Sequence, residues 1–269
     1  MDVYIEVQLD SADPRDRGEA VRQWFSESLS RMFSGLRSID GVSWFASLSR
    51  DENSPAERYS GDITRQDDFL SELSAFPYWA QLEFTGGGDL QLARLRSSHL
   101  IDGGAYSSLS TAMQCGHEAL SNAEYCAWIV ESVSAAVTGA NPAFGRIEYG
   151  EFSDRANLDI ALRRKPEEFL RAARAVLRGY AWVTICPEEL VEHLGGCKEL
   201  AATGAFFRVV PLQGGGALLQ ATETMTGYSE EAMERVLRAL APALPPGMPR
   251  AHPAFPGVRF VQKDAAQFA

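Results

Sequence analysis

Residues Gly179 to Glu223 read GYAWVTICPEELVEHLGGCKELAATGAFFRVVPLQGGGALLQATE, and the fold is decided here. Tyr180 to Cys186 is an apolar run whose Trp182, Val183 and Ile185 predict a mostly buried strand. Pro187 suits the first position of a helix, where its missing N–H costs nothing, and Glu188 and Glu189 face the positive helix end. Leu190, Val191 and Leu194 form an apolar stripe, and one glycine of Gly195-Gly196 can take the left-handed conformation that closes a helix. A second short helix, Lys198 to Ala202, leads to strands at Phe206–Leu212 and Ala217–Thr222. Gln213-Gly214-Gly215-Gly216 joins them, because a tight hairpin needs positive φ. No nucleophile, metal set or phosphate loop stands out in this stretch.

Working outward, Pro166 to Leu177 predicts a helix with Glu167 and Glu168 at its start, Arg171 and Arg174 toward its end and Gly179 beyond it. Ser229 caps a later helix whose Met233, Val236, Leu237 and Leu240 are buried. Pro242–Pro249 breaks that helix, and Val258–Val261 is expected as a last edge strand. Strand, helices, strand, hairpin, strand, helix, strand is the order of a split βαβ sandwich.

The N-terminal half runs in a similar order. Val3, Ile5, Val7 and Leu9 alternate with Tyr4, Glu6 and Gln8, which predicts a half-buried strand. Asp13-Pro14 starts a helix carrying Val21, Trp24, Phe25, Leu29, Met32, Phe33 and Leu36 on one broad face. Strands follow at Gly41–Leu48, Ala80–Thr85, Leu90–Leu95 and Ala105–Cys115, then an amphipathic helix at Ala119–Val137. The hairpin Gly86-Gly87-Gly88-Asp89 occupies a place comparable to that of Gly214 to Gly216. The expectation is an α+β protein: antiparallel sheets with helices packed on one face, in two related split-βαβ halves, 1–140 and 141–269, joined at Thr138–Gly145 and able to pack as a single domain.

The chain has 269 residues, 45% of them hydrophobic, and a formal net charge of −11 from 36 acidic and 25 basic residues. Such a chain can bury roughly three-quarters of its unfolded surface. Its charge argues against nucleic acid, whose affinity rests on phosphate contacts, and against anionic membranes, and it favours a basic protein partner. Cys115, Cys126, Cys186 and Cys197 show no metal or disulfide spacing, so packed, reduced thiols are expected. The opening MDVYIEVQLD lacks a basic region followed by an apolar core, and no apolar run approaches membrane-spanning length, which points to a soluble cytoplasmic protein.

Candidate chemistry is sparse. His117-Glu118 begins like a zinc-protease motif, but Ser121 stands where the second histidine belongs. His193 and Cys197 are four apart across a helix-breaking Gly-Gly, so helix-end capping is the better role for His193. No G-x-S-x-G elbow appears. Cys186, before a helix start, has the position of an activated thiol, against the alternative of a packed one. The five tryptophans all lie in apolar patterns and suit packing. Catalytic, metal and cofactor sites are therefore expected to be absent. The polar excursion 51–68 places Glu57, Tyr59, Asp62, Asp67 and Asp68 together. Either it is a solvated loop, or it is an epitope for a basic partner with Tyr59 as anchor.

The C-terminal half from about Asn141 resembles the immunity proteins of bacterial polymorphic toxin systems, namely the immunity protein 52 group and the related type VI secretion immunity family. RGYAW (Arg178 to Trp182), LGG (Leu194 to Gly196), LLQATE (Leu218 to Glu223) and LAPALPPG (Leu240 to Gly247) carry the resemblance. It implies a non-enzymatic protein that binds and neutralises a cognate toxin in the cytoplasm, and it assigns no functional residues. An enzyme of another type, such as a thiol or serine hydrolase, and a small-ligand-binding protein are the alternatives. A homodimer is the fallback if an edge strand is left open.

Overall fold

The structure, a computed structural model, describes residues 2–61, 63–86, 91–101, 105–150 and 155–269. One sheet of ten strands runs through both halves. In chain order the strands are β1 (Asp2–Asp10), β2 (Ser43–Ser49), β3 (Glu57–Ser60), β4 (Trp79–Thr85), β5 (Gln91–His99), β6 (Tyr106–Gln114), β7 (Phe144–Tyr149), β8 (Val183–Cys186), β9 (Arg208–Pro211) and β10 (Ala217–Gln220). Their spatial order is β3-β2-β4-β5-β6-β1-β7-β8-β10-β9, and neighbouring strands are antiparallel. The fold is α+β, as expected. The two expected layers are instead one, because β1 pairs with β6 on one side and β7 on the other.

The helices are α1 (Arg17–Ser30), α2 (Ile63–Glu72), α3 (His117–Ser121), α4 (Ala123–Ala136), α5 (Asn157–Ala161), α6 (Pro166–Arg171), α7 (Glu188–His193), α8 (Gly196–Ala202) and α9 (Glu230–Leu240). The split βαβ order is present in the C-terminal half. Strands β8 and β9, joined by α7 and α8, run parallel with β10 between them. In the N-terminal half, β1 and β2 are separated by three strands. The apex of the expected hairpin at Gly86 to Asp89, apart from Gly86, lies outside the described residues, as does Leu90.

Alternation along the strands sorts residues onto two faces. Val3, Ile5, Val7 and Leu9 of β1, Ala80, Leu82 and Phe84 of β4, and Ala93 and Leu95 of β5 are buried with Trp24, Phe25 and Leu29 of α1 and Ile129, Val130 and Val133 of α4. This face is dry because both helices carry broad apolar stripes. Asp16 caps α1 by accepting from Glu19 N, and Asn122 caps α4 by accepting from Tyr125 N. The cap at Asn122 divides the expected Ala119–Val137 helix into α3 and α4.

Helices also cover part of the opposite face. The segment from α5 to Arg178 sits over β1 and β7, so Glu6, Gln8 and Asp10 are buried. The expected half-buried opening strand is therefore buried along nearly its whole length. Val258–Val261 forms no strand; Val261 N instead donates to the Tyr180 hydroxyl at 2.9 Å. The expected Pro166–Leu177 helix stops at Arg171, and Pro187 caps α7 from outside its first turn, with φ −65° and ψ 159°. Gly195 and Gly196 both take positive φ, +89° and +87°. No helix among the described residues is long and apolar enough to cross a membrane.

Candidate functional site

The polar face of the sheet carries the most chemistry. Strand register aligns Ser47, Gln81, Arg96, Ser110, Glu6 and Arg146 in one row across β2, β4, β5, β6, β1 and β7. Directly opposed residues share a face and touch, so side chains far apart in sequence form one strip. At the β1–β7 end the strip is roofed by the chain from Arg155 to Arg178. Toward β4 and β5 it lies open, with Arg96 exposed.

Under the roof lies a buried ionic network. Arg146 Nε donates to Glu6 Oε2 at 2.9 Å, while its Nη1 meets Glu148 Oε1 at 2.9 Å and the Arg155 carbonyl at 2.8 Å. Arg178 Nε donates to Asp159 Oδ2 at 2.8 Å, and its Nη1 donates to Gln8 Oε1 at 2.8 Å and lies 3.6 Å from Glu6 Oε1. The Arg178 guanidinium packs over the Phe169 ring at 4.2 Å. Arg164 Nη1 completes the Asp159 carboxylate at 3.3 Å. Farther along β1, Arg174 donates to both Asp10 oxygens, at 2.8 and 2.9 Å, and bridges to Glu189 on α7 at 2.8 Å.

Withdrawing these ions from water is costly, so the network orients α5 and α6 over the sheet more than it adds net stability. The protonation shifts follow from that balance. Burial opposes the Arg146 charge, yet Glu148 and Glu6 outweigh it and hold its pKa above the ordinary value. Burial likewise pushes the Asp159 carboxyl up, against the pull of Arg178 and Arg164.

Between this roof and the open strands lies a cleft of 460 Å³. Arg96, Arg155 and Arg178 bring three guanidinium groups to it, Ser98, Ser108 and Ser110 bring hydroxyls, and Trp79 and Phe169 bring aromatic surface. His99 stands beside it, its ring 4.3 Å from Phe76 and 5.5 Å from Tyr78. Burial, with Arg17 nearby, pushes His99 below its ordinary pKa. No group of histidine, cysteine and carboxylate side chains with metal-holding geometry occurs among the described residues.

The residues expected as a partner epitope are placed differently. The 51–68 excursion is loop only in part: after a turn at 51–56 it forms β3 and the start of α2. Tyr59 is 8% exposed, its ring 5.5 Å from Phe69 and its hydroxyl 2.9 Å from Glu57 Oε2. That corrects its role as a surface anchor, because the phenol closes the corner between β3 and α2. Burial, then the bond to Glu57, pushes its pKa up to about 12. Glu57, Asp67 and Asp68 are exposed, with Glu57 paired to Arg50 at 3.0 Å and Asp68 to Arg65 at 3.7 Å. Asp62 lies outside the described residues.

Cys186 is fully buried, and burial pushes its thiol up, with Cys197 and Glu189 adding to the shift. Its strand-end position therefore yields a packed thiol, the opposite of an activated one. His193, in the last turn of α7, places Nε2 3.4 Å from the Pro242 carbonyl.

Reading from the sequence misses the cleft because its members are single arginines and serines on separate strands. The signal that points to it is Glu6, Gln8 and Asp10 in a strand, together with the arginines spaced through 155–178. No family model and no curated protein matches the chain. Among solved structures, its fold is similar to that of the Pseudomonas aeruginosa T6SS protein PA0821, with a TM-score of 0.60 and 15% identity over 99% of this chain and 80% of that one.

Proposed function

We propose that this chain is a non-enzymatic immunity protein that binds a cognate bacterial toxin and neutralises it in the cytoplasm of the producing cell. The observation that carries the reading is the likeness, over nearly the full chain, to a protein named for the T6SS. It agrees with the family resemblance of the C-terminal motifs. The net charge of −11 supports it as well, since a surplus of carboxylates attracts a basic protein and speeds the encounter. A broad single sheet, packed on one face and tied by ion pairs on part of the other, suits a binder that changes shape little on docking.

Co-expression tests the reading. A host poisoned by the product of a gene adjacent to this one should grow when this chain is supplied, and the two proteins should co-purify. Continued poisoning together with no complex would sink it.

A further inference from the structure

We propose that the cleft between α6 and strands β5, β6 and β1 is a binding site for a small organic anion, a carboxylate or phosphate carried on an aromatic body. The inference stands apart from the toxin-binding reading and needs no protein partner.

Four observations point to this class of ligand. The cleft, at 460 Å³, has the size of a small-molecule site. Its polar lining is rich in donors. Arg96 has no carboxylate partner among the described residues, and the hydroxyls of Ser98, Ser108 and Ser110 have no hydrogen-bond partner among them either. Arg178 is 1% exposed, yet its Nη2 has no acceptor, although Nε and Nη1 are both engaged. A buried guanidinium with an idle arm is costly, and a ligand acceptor satisfies it once the lining side chains shift to admit one.

The carboxylates that line the cleft do not cancel this surplus. Glu6 is held by Arg146 at 2.9 Å, and Glu167 is exposed on the first turn of α6. Arginine donors in a fork favour carboxylate or phosphate oxygens over neutral acceptors. Trp79, partly exposed at the edge of the cleft, adds flat apolar surface against which an aromatic ring can stack.

Isothermal titration of the full chain with phenyl phosphate tests the site, with phenol and inorganic phosphate as controls. Phenyl phosphate should saturate with a Kd below about 1 mM, and both controls should bind at least about tenfold more weakly. Arg96→Gln, on an exposed strand position, should leave the unfolding temperature unchanged and weaken phenyl phosphate about tenfold. Ser108→Ala should weaken it by a smaller factor. Arg94→Gln, on the same face but outside the cleft, should change nothing. Absence of saturation by about 10 mM, an unchanged affinity in Arg96→Gln, or equal losses in the Arg94 and Arg96 variants would each overturn the site.

Discussion

Asp159 holds two arginines, Arg178, which like Asp159 itself is withdrawn from water, and Arg164, which is partly exposed. Removing one member of such a group leaves the others charged and unpaired, so Asp159→Ala should cost about 3–5 kcal/mol. Replacing the pair together, Asp159→Leu with Arg178→Met, should recover much of that loss, because the one charge left without its partner, Arg164, already reaches water. Urea unfolding of the three chains measures both steps. Tyr180 makes a prediction about pH. Burial pushes its phenol from an ordinary value of 10.0 up to about 12, although the Val261 N–H draws it back. The folded chain then holds a proton that the unfolded chain releases, so stability is complete below pH 10 and falls as the pH rises toward 12. At about 1.4 kcal/mol per pH unit this comes to about 3 kcal/mol. Tyr180→Phe should flatten the fall in that window, while costing about 1–3 kcal/mol at neutral pH for the orphaned Val261 N–H. Urea midpoints at pH 9 and 11 decide it. Neither group is readable from sequence as special, since Asp159 acquires its role only when Arg178, 19 positions away, reaches it, and Tyr180 only when the Val261 N–H, 81 positions away, donates to it.

Elements were readable where one face is dry and one is wet. Helices α1 and α9 and strand β4 repeat their expected periods, because their outer sides meet solvent. Strand β1 misleads for the opposite reason. Its polar side chains look solvated and are instead partnered by Arg146 of β7 and by Arg174 and Arg178, which follow α6. Polarity in a sequence does not tell water from a buried partner. Strand β7 shows how tightly the joint between the halves is built. A Cβ added at Gly145 would lie 2.7 Å from Ile185 Cδ1 and 2.9 Å from the Glu6 carbonyl oxygen. Gly145→Ala should therefore cost about 1–3 kcal/mol, read as a lower unfolding temperature. Adding Ile185→Val should relieve only part of this, since the Glu6 contact is with backbone.

The sheet is continuous past the expected division at 140/141, which lies between two strands that both pair with β1. A single calorimetric transition whose measured enthalpy equals its van't Hoff enthalpy is expected. Two separated transitions would restore the division. If charge steers the toxin encounter, Asp67→Lys with Asp68→Lys should slow association and flatten its salt dependence, without a matching change in dissociation. An unchanged on-rate in stopped-flow mixing would take α2 out of the encounter surface. The acidity behind this prediction is plain in composition. Where the carboxylates stand is not, because β3 and α2 grow from a stretch whose polarity hides its two core contacts, Tyr59 and Phe69.

The ladder ends in two bare rails, β3 and β9, each four residues long. Such a rail could template another chain and seed filaments when the protein is concentrated. Here Glu57 and Arg58 put charge along one rail, and on the other Arg208 adds a charge while Pro211 withholds an N–H from any newcomer. Both edges thus carry features that oppose growth end to end.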